Sequence, residues 1–388
     1  MEYLDILKDL IEIPTYNPPG VNYWKISNYL LSRLKEAGFD VSLMEIPETE
    51  LNSKYVYSPL HKGNPRYVVL ARRGEGKPVL HFNAHYDTVP AGDGWEHDPF
   101  SATVIDGKCF GRGTADVKGG ISAILETVKT EFSGTLEVSF VPDEESGGLG
   151  TSYLMEKIPP PDFAILAEPS FPNLFIGHKG ILRGTITVLG QQAHCSRPWL
   201  GLNAFTEGSK FALLFLQKYE KILRTKTTAY ETEVEKDKYP SINIGGITSS
   251  SPGNDGVVPS KFEFSFVRMT LPEESEPKEE IVKIGDEIGK ELHLNYRLTF
   301  KSYSPGMVEI SPFTNLAYEC AKKVINDNIR ELVAPLRYDG YFYRAKGTHT
   351  VNFGPGRLEN AHAVNEYVSL REIELSILVY QCIMKKIL

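Results

Sequence analysis

Short apolar runs of strand length, interspersed with stretches of helical spacing, recur through the first half of the chain. This alternation most narrows what the chain can fold into. Residues 41–46, 67–71, 79–84, 136–141 and 163–167 read as strands. Leu4, Ile6, Leu7, Leu10 and Ile11 fall on one helical face, and residues 22–37, 119–132 and 150–157 are also helical, with Gly38 as a C-cap. Asp106-Gly107 marks a hairpin. Such alternation predicts an α/β fold, a sheet flanked by helices.

The texture changes near Gly180. Residues 181–190, 241–247, 261–268 and 295–303 are extended, 202–223 and 274–292 are helical, and polar 225–238 reads as an exposed loop. A helix at 313–326, a strand at 350–353 and a last helix at 366–386 then resume the first pattern. At 388 residues the chain exceeds a typical domain of roughly 100–200. The simplest organisation is a main domain of residues 1–179 and 304–388 interrupted by an inserted α+β domain, 180–303.

Composition excludes several partners. Hydrophobic residues at 41% and charged ones at 24% describe an ordinary globular protein. With 42 basic and 50 acidic side chains, a net charge of −8 and no basic stripe, a nucleic-acid partner is not expected. The acidic, helix-like start does not resemble a secretory leader, and no apolar run reaches about 18 residues, so a cytoplasmic protein without membrane association is expected. Cys109, Cys195, Cys320 and Cys382 form no CxxC pair and are expected to be reduced packing residues.

Chemistry-bearing residues gather where the apolar runs end. His85 closes the third run and shares a strand face with His81 and Asn83, while Asp87 follows at a distance from which it can hold a ring nitrogen. A hydrogen-bonded histidine before an Asp turn is the alternative, and His81 reads as structural. The Gly111–Gly120 segment lacks Walker spacing; its glycines leave room for a tight path that points Asp116 inward, with an N-cap as the competing role. After Pro142 come Asp143, Glu144 and Glu145, whose side chains diverge. One glutamate can ligate a metal while its neighbour takes a proton, unless the triplet is only an exposed acidic turn. Glu168-Pro169 ends another run, and His362 lies in a loop before the last helix. There is no Gly-x-Ser-x-Gly elbow, and His194 beside Cys195 in an extended segment is expected to face away from it. Two imidazoles with four or five carboxylates suit a pair of zinc-like ions and a carboxylate base, which points to a metal-dependent hydrolase.

In order, these segments resemble the dinuclear zinc peptidase and deacylase family that includes acetylornithine deacetylase, succinyl-diaminopimelate desuccinylase, aminoacylase and glutamate carboxypeptidase. The motifs are His85-Tyr86-Asp87-Thr88-Val89-Pro90, Gly111-Arg112-Gly113-Thr114-Ala115-Asp116-Val117-Lys118-Gly119, Asp143-Glu144-Glu145, Glu168-Pro169-Ser170, Gly354-Pro355-Gly356 and Ala361-His362-Ala363-Val364-Asn365-Glu366. The resemblance covers nearly the whole chain. It implies a zinc-peptidase-like catalytic domain with helices around a mixed sheet, and an inserted lid and dimerisation domain. By the same resemblance, His85, Asp116 and Glu168 hold one zinc and Asp116, Glu145 and His362 the other, with cobalt or manganese able to take the same ligands. Asp87 orients His85, Glu144 is the general base, and the Asp116-Val117 peptide is cis. Gly190-Gln191-Gln192-Ala193-His194 matches a segment that brings a histidine to the oxyanion, often from the partner subunit. Arg268 sits where relatives grip a substrate carboxylate.

The implied substrates are N-acyl amino acids or short peptides, acted on by a homodimer; a di- or aminopeptidase is the alternative, as is a metal-dependent binding protein without turnover. Glu168 resembles the carboxypeptidase and deacylase branch, because aminopeptidase relatives tend to carry Asp there. Gly256 before Val257-Val258-Pro259, Phe266-Val267-Arg268 and Asp339-Gly340-Tyr341-Phe342 depart from the family pattern and leave the pocket open.

Overall fold

The computed structural model describes residues 2–326 and 328–388. It divides into two compact units: unit 1 comprises Met1–Ile176, Glu309–Glu331 and Tyr338–Leu388, and unit 2 comprises Gly177–Val308 and Leu332–Arg337. The return of Leu332–Arg337 to unit 2 has no counterpart in the sequence pattern.

Unit 1 is built on a mixed sheet. Its strands run side by side in the order Asp40–Glu45, Tyr67–Gly74, Thr135–Val141, Val79–His85, Phe163–Leu166 and His349–Asn352, with the start of Leu174–His178 beyond. Pairing is antiparallel at the Asp40–Glu45 side, whereas the four strands from Thr135–Val141 to His349–Asn352 are mutually parallel. Thr135–Val141 is buried along its whole length although polar Thr135, Glu137 and Ser139 alternate with its apolar residues; the Glu137 carboxylate and Ser139 hydroxyl are satisfied by the His81 ring. Helices Glu2–Ile11, Tyr23–Glu36, Gly119–Thr127, Pro312–Ile325 and Leu370–Ile387 bury their apolar stripes in the core with the sheet. No helix among the described residues is long and apolar enough to cross a membrane.

The last helix begins at Leu370, because Tyr367–Ser369 is first taken into a small sheet with Lys108–Phe110 and Thr103–Ile105. The helical pattern expected from Glu366 is thus overridden by a strand pairing distant in sequence. Likewise Glu48–Lys54 forms a short helix too weakly periodic to stand out in the sequence. Four reduced thiols were the expectation; instead Cys320 and Cys382 form a disulfide, with Cα atoms 5.7 Å apart across 62 residues of sequence. They lie on Pro312–Ile325 and Leu370–Ile387, two helices that pack together, a proximity that cysteine spacing does not reveal. Cys109 is free and buried, Cys195 free and exposed.

Unit 2 has a four-stranded antiparallel sheet in the order Ser241–Ser251, Lys261–Thr270, Gly180–Leu189, Asn295–Ser304. Lys261–Thr270 alternates buried and half-buried residues at every step, so one face meets the core. Helices Ala204–Leu223 and Pro277–Glu291 cover that face, joining Phe211, Phe215, Ile281 and Ile288 to Phe262, Phe264 and Phe266. Ser241–Ser251 is an outer strand, exposed over most of its length.

Candidate metal centre

Parallel pairing gathers the site. Because Val79–His85 runs parallel to both neighbours, all three strands deliver their carboxyl ends to one edge of the sheet, where α/β folds present chemistry. His85 pairs with Val141, and Asn83 with Leu166. Asp143–Glu145 therefore begins two residues past the level of His85, and Glu168 lies two residues beyond Leu166.

Asp116 arrives differently, on the tight Thr114–Lys118 turn, with a cis Asp116-Val117 peptide. The glycines around it are required by space. Gly113 has φ +86°, and a Cβ there would come 2.6 Å from Thr88 Cγ2; one on Gly120 would come 2.5 Å from the Ala167 carbonyl oxygen. The backbone of the turn is held by the buried carboxylate of Glu366, which accepts hydrogen bonds from the N–H groups of Gly113 (2.9 Å), Ala115 (2.9 Å) and Asp116 (3.0 Å).

The acidic triplet divides its labour. Asp143, at φ +64°, faces the interior, where it accepts from Arg66 Nε (3.1 Å), Asn17 Nδ2 (2.9 Å) and the Tyr23 hydroxyl (3.1 Å). Glu145 meets His362, Oε1 to Nε2 at 2.9 Å. The backbone N–H groups of Glu144 and Glu145 donate to the Asp87 carboxylate at 3.2 and 3.3 Å. Asp87 thus steadies the turn that carries both glutamates.

Against His85, the nearer partner is the backbone carbonyl of Asp87, 2.9 Å from Nδ1, while the Asp87 carboxylate is 3.6 Å away. A carbonyl oxygen only accepts, so Nδ1 carries a hydrogen and Nε2 is the nitrogen left to face the carboxylates, able to offer a lone pair to a cation once its own proton leaves. That nitrogen lies 3.0 Å from Asp116 Oδ1 and 3.6 Å from Glu168 Oε2. On the other side His362 Nε2 lies 3.4 Å from Asp116 Oδ2. Asp116 consequently has one oxygen toward each imidazole. Ligand atoms of His85, Asp116 and Glu145 all fall within 4.8 Å of one another, the one such grouping of His, Cys, Asp and Glu among the described residues.

Electrostatics match this crowding. Burial pushes the Glu145 carboxyl up to about 7, helped by the charge of Asp116, and burial also raises Glu168. Burial pushes Asp116 the same way, yet hydrogen bonds from His362 and His85 outweigh it and hold Asp116 below the usual range. His85 is raised because Glu168, Asp116 and Asp87 overcome its burial; hydrogen bonds to Asp116 and Glu145 take His362 up to about 11. Carboxylates stabilising positive charge on two imidazoles form a site that stabilises cations generally. A mixed nitrogen and oxygen donor set with a shared carboxylate fits a pair of divalent ions of zinc type.

In unit 2, His194 is exposed. Its Nδ1 accepts from the Ser196 backbone N–H at 3.2 Å and lies 2.8 Å from the Ser196 hydroxyl, so the neutral ring carries its hydrogen on Nε2. Cys195 Sγ comes within 4.0 Å of the same Nδ1, contrary to the opposite-face expectation, because the segment turns at Cys195-Ser196 instead of continuing as a strand. Arg268 does not offer its guanidinium to solvent. It is fully buried, bonded to Glu274 (2.6 Å), the Tyr219 hydroxyl (3.0 Å) and the Met269 carbonyl, all within unit 2. For Arg268 to grip a substrate carboxylate, as the family resemblance implies, that carboxylate would have to displace Glu274.

Sequence reading missed the supports. Asn17 donates to Asp87, Asp143 and Ser146, and Arg66 neutralises Asp143, yet both lie in segments without a motif. Glu366 stood inside the His362 motif without a role.

A mixed α/β sheet with carboxylates and imidazoles converging at the carboxyl ends of parallel strands defines a metal-site protein of the zinc-peptidase architecture. The chain belongs to Peptidase family M20/M25/M40, whose profile matches residues 81–386. It is 41% identical over 136 residues to succinyl-diaminopimelate desuccinylase of Sulfurimonas denitrificans, covering 32% of this chain and 37% of that protein. It is 29% identical over 258 residues to acetylornithine deacetylase of Photorhabdus laumondii, covering 63% and 62%. These matches span from about a third to under two thirds of the relatives' lengths. In fold it is similar to an M20 metallo-carboxypeptidase from Sulfolobus solfataricus, with a TM-score of 0.75 and 19% identity over 99% of this chain and 98% of that one.

Proposed function

We propose that the protein is a metal-dependent amidohydrolase that removes the acyl group from an N-acyl amino acid, of the deacetylase or desuccinylase type, or a C-terminal residue from a short peptide. The observation that carries this reading is the position of Asp116, one carboxylate oxygen toward each of two imidazoles, with Glu168 and Glu145 flanking them. His85, Asp116 and Glu168 would hold one divalent ion, and Asp116, Glu145 and His362 a second, with Zn2+ favoured and Co2+ or Mn2+ compatible. Such ions supply Lewis acidity toward the scissile carbonyl and lower the pKa of water.

The remaining steps fall to the chain's own groups. Glu144 accepts a proton from the attacking water as the new C–O bond forms, and returns it to the amide nitrogen as the C–N bond breaks. Asp87, bonded to the Glu144 and Glu145 backbones, keeps base and ligand in register. The Nε2–H of His194 is a donor suited to the developing oxyanion. Unit 2 would then act as a lid and as the dimer contact. The family resemblance and the relatives' names support amide substrates, and Glu168 supports the deacylase branch over aminopeptidases.

The test is turnover of N-acetyl- and N-succinyl-amino acids beside free dipeptides by metal-loaded protein. Hydrolysis of dipeptides alone would assign a di- or aminopeptidase instead, and metal-dependent binding without turnover would make it a binding protein. Glu144→Gln should retain bound metal while kcat falls by about 10²–10⁴; an unchanged rate removes Glu144 from the mechanism.

A further inference from the structure

We propose that Glu366 and Arg112 form a brace that sets the spacing of the ligands Asp116 and His362, making Glu366 a positioning residue for cation binding; this rests on the metal-site reading above. The brace begins in the small three-stranded sheet. Tyr367 pairs with Phe110, and the ladder continues one step through the bond from Gly111 N–H to the Glu366 carbonyl at 2.9 Å. This pairing lays Glu366 alongside the glycine-rich turn, with 1% of its surface exposed.

There its carboxylate meets four donors. One oxygen accepts from Arg112 Nη1 (2.6 Å) and Gly113 N–H (2.9 Å), and the other from Ala115 N–H (2.9 Å) and Asp116 N–H (3.0 Å). Backbone N–H groups that converge around a residue at positive φ form an anion-binding concavity, and here the anion belongs to the chain. The turn also closes on itself, through Lys118 N–H to the Gly113 carbonyl at 2.7 Å, but without the Glu366 carboxylate the N–H groups of Gly113, Ala115 and Asp116 would lose their acceptor.

Arg112 carries the constraint to the second ligand. Buried at 2% exposure, it also donates to the His362 carbonyl (3.4 Å) and the Ala91 carbonyl (3.3 Å). Its guanidinium lies over the Trp95 ring, 5.3 Å from the centroid, which limits its freedom to swing. One ion pair therefore joins the turn bearing Asp116 to the loop bearing His362, two ligands 246 residues apart in sequence whose reactive atoms stand 3.4 Å apart. A merely structural Glu366 would govern folding; a brace governs the distance between ligands.

The experiment measures cation binding to the apoprotein by titration calorimetry with Zn2+ alone, for wild type, Glu366→Gln and Arg112→Lys, alongside circular dichroism. Glutamine keeps the shape but brings an NH2 group against donors. We expect Glu366→Gln to stay folded, to bind its weaker ion at least tenfold less tightly, and to lose kcat with little change in KM, with activity recovering in excess Zn2+. Arg112→Lys, which keeps the charge but replaces the two-nitrogen fork spanning Glu366 and the carbonyls with a single nitrogen, should show a smaller loss of affinity. It serves as the readout if Glu366→Gln fails to fold. Wild-type affinity for both ions in a folded Glu366→Gln, or in Arg112→Lys where Glu366→Gln is unfolded, would overturn the brace. So would wild type that binds no Zn2+. Wild type that binds two ions yet hydrolyses no amide defeats the amidohydrolase reading alone, leaving the brace to be judged by the variants' affinities.

Discussion

Asp116 shows how much of this site depends on one side chain's surroundings. Its half-buried carboxylate lies between two imidazoles, and the resulting charge pattern is what a cation would replace. That exchange predicts a pH dependence. In the cation-free protein His362 holds its proton up to about 11 and Glu145 up to about 7, and both must be deprotonated to ligate. Metal binding should therefore release at least one proton at pH 8 and more below about 7. Affinity should weaken as pH falls, by about tenfold per pH unit for each proton displaced. Calorimetry in two buffers of different ionisation heat counts the protons, and zero release at pH 8 would contradict the ligand assignment. At this scale the sequence supplied the donor types of His85, Asp116, Glu145, Glu168 and His362, and the structure brings those side chains together; that they ligate metal is the proposal. Arg268 is engaged with an internal carboxylate, Glu274, because a residue type suited to gripping a substrate carboxylate is equally suited to one within the chain, a difference that sequence does not carry.

Elements decide where such donors point. The turn after Thr135–Val141 is steadied from beneath by a buried ion pair, Arg66 with Asp143, and by the Asn17, Tyr23 and Tyr55 hydrogen bonds around it. The guanidinium also lies over the Tyr23 and Tyr55 rings, at 5.1 and 4.8 Å. Removing one partner of such a pair leaves a buried charge uncompensated, so Arg66→Met should destabilise unit 1 by about 3–5 kcal/mol. Denaturant unfolding checks this, and a loss below about 1 kcal/mol would mean that Asp143, whose burial already pushes it up to about 7, takes up a proton when the guanidinium is removed. The strands were readable because short, largely apolar segments such as Phe163–Leu166 are buried on both faces, even where Thr135–Val141 and Val79–His85 carry buried polar residues. Periodicity misled at residues 366–369, where a helical pattern yields to pairing with Lys108–Phe110, and it was silent on Cys320–Cys382.

For the whole molecule, unit 2 ends its sheet in an exposed outer strand, Ser241–Ser251, with Ile247 65% exposed. An unpaired strand edge is a template for another chain. Joined to the family resemblance, it leads us to expect a homodimer through unit 2, seen as a two-chain mass by light scattering at micromolar concentration. Ile247→Lys, at an exposed position, should shift the population toward monomer without unfolding it; a monomeric wild type would remove the dimer from the proposal. The amino-acid order by itself determined the α/β alternation, the inserted second texture and the donor inventory, because hydrophobic period and residue chemistry are local properties. Only tertiary structure decided that three parallel strands present those donors at one edge, that Glu366 clamps the Asp116 turn, and that two distant cysteines meet. Each of these is a contact between remote segments, set by register and packing rather than by neighbours in the chain.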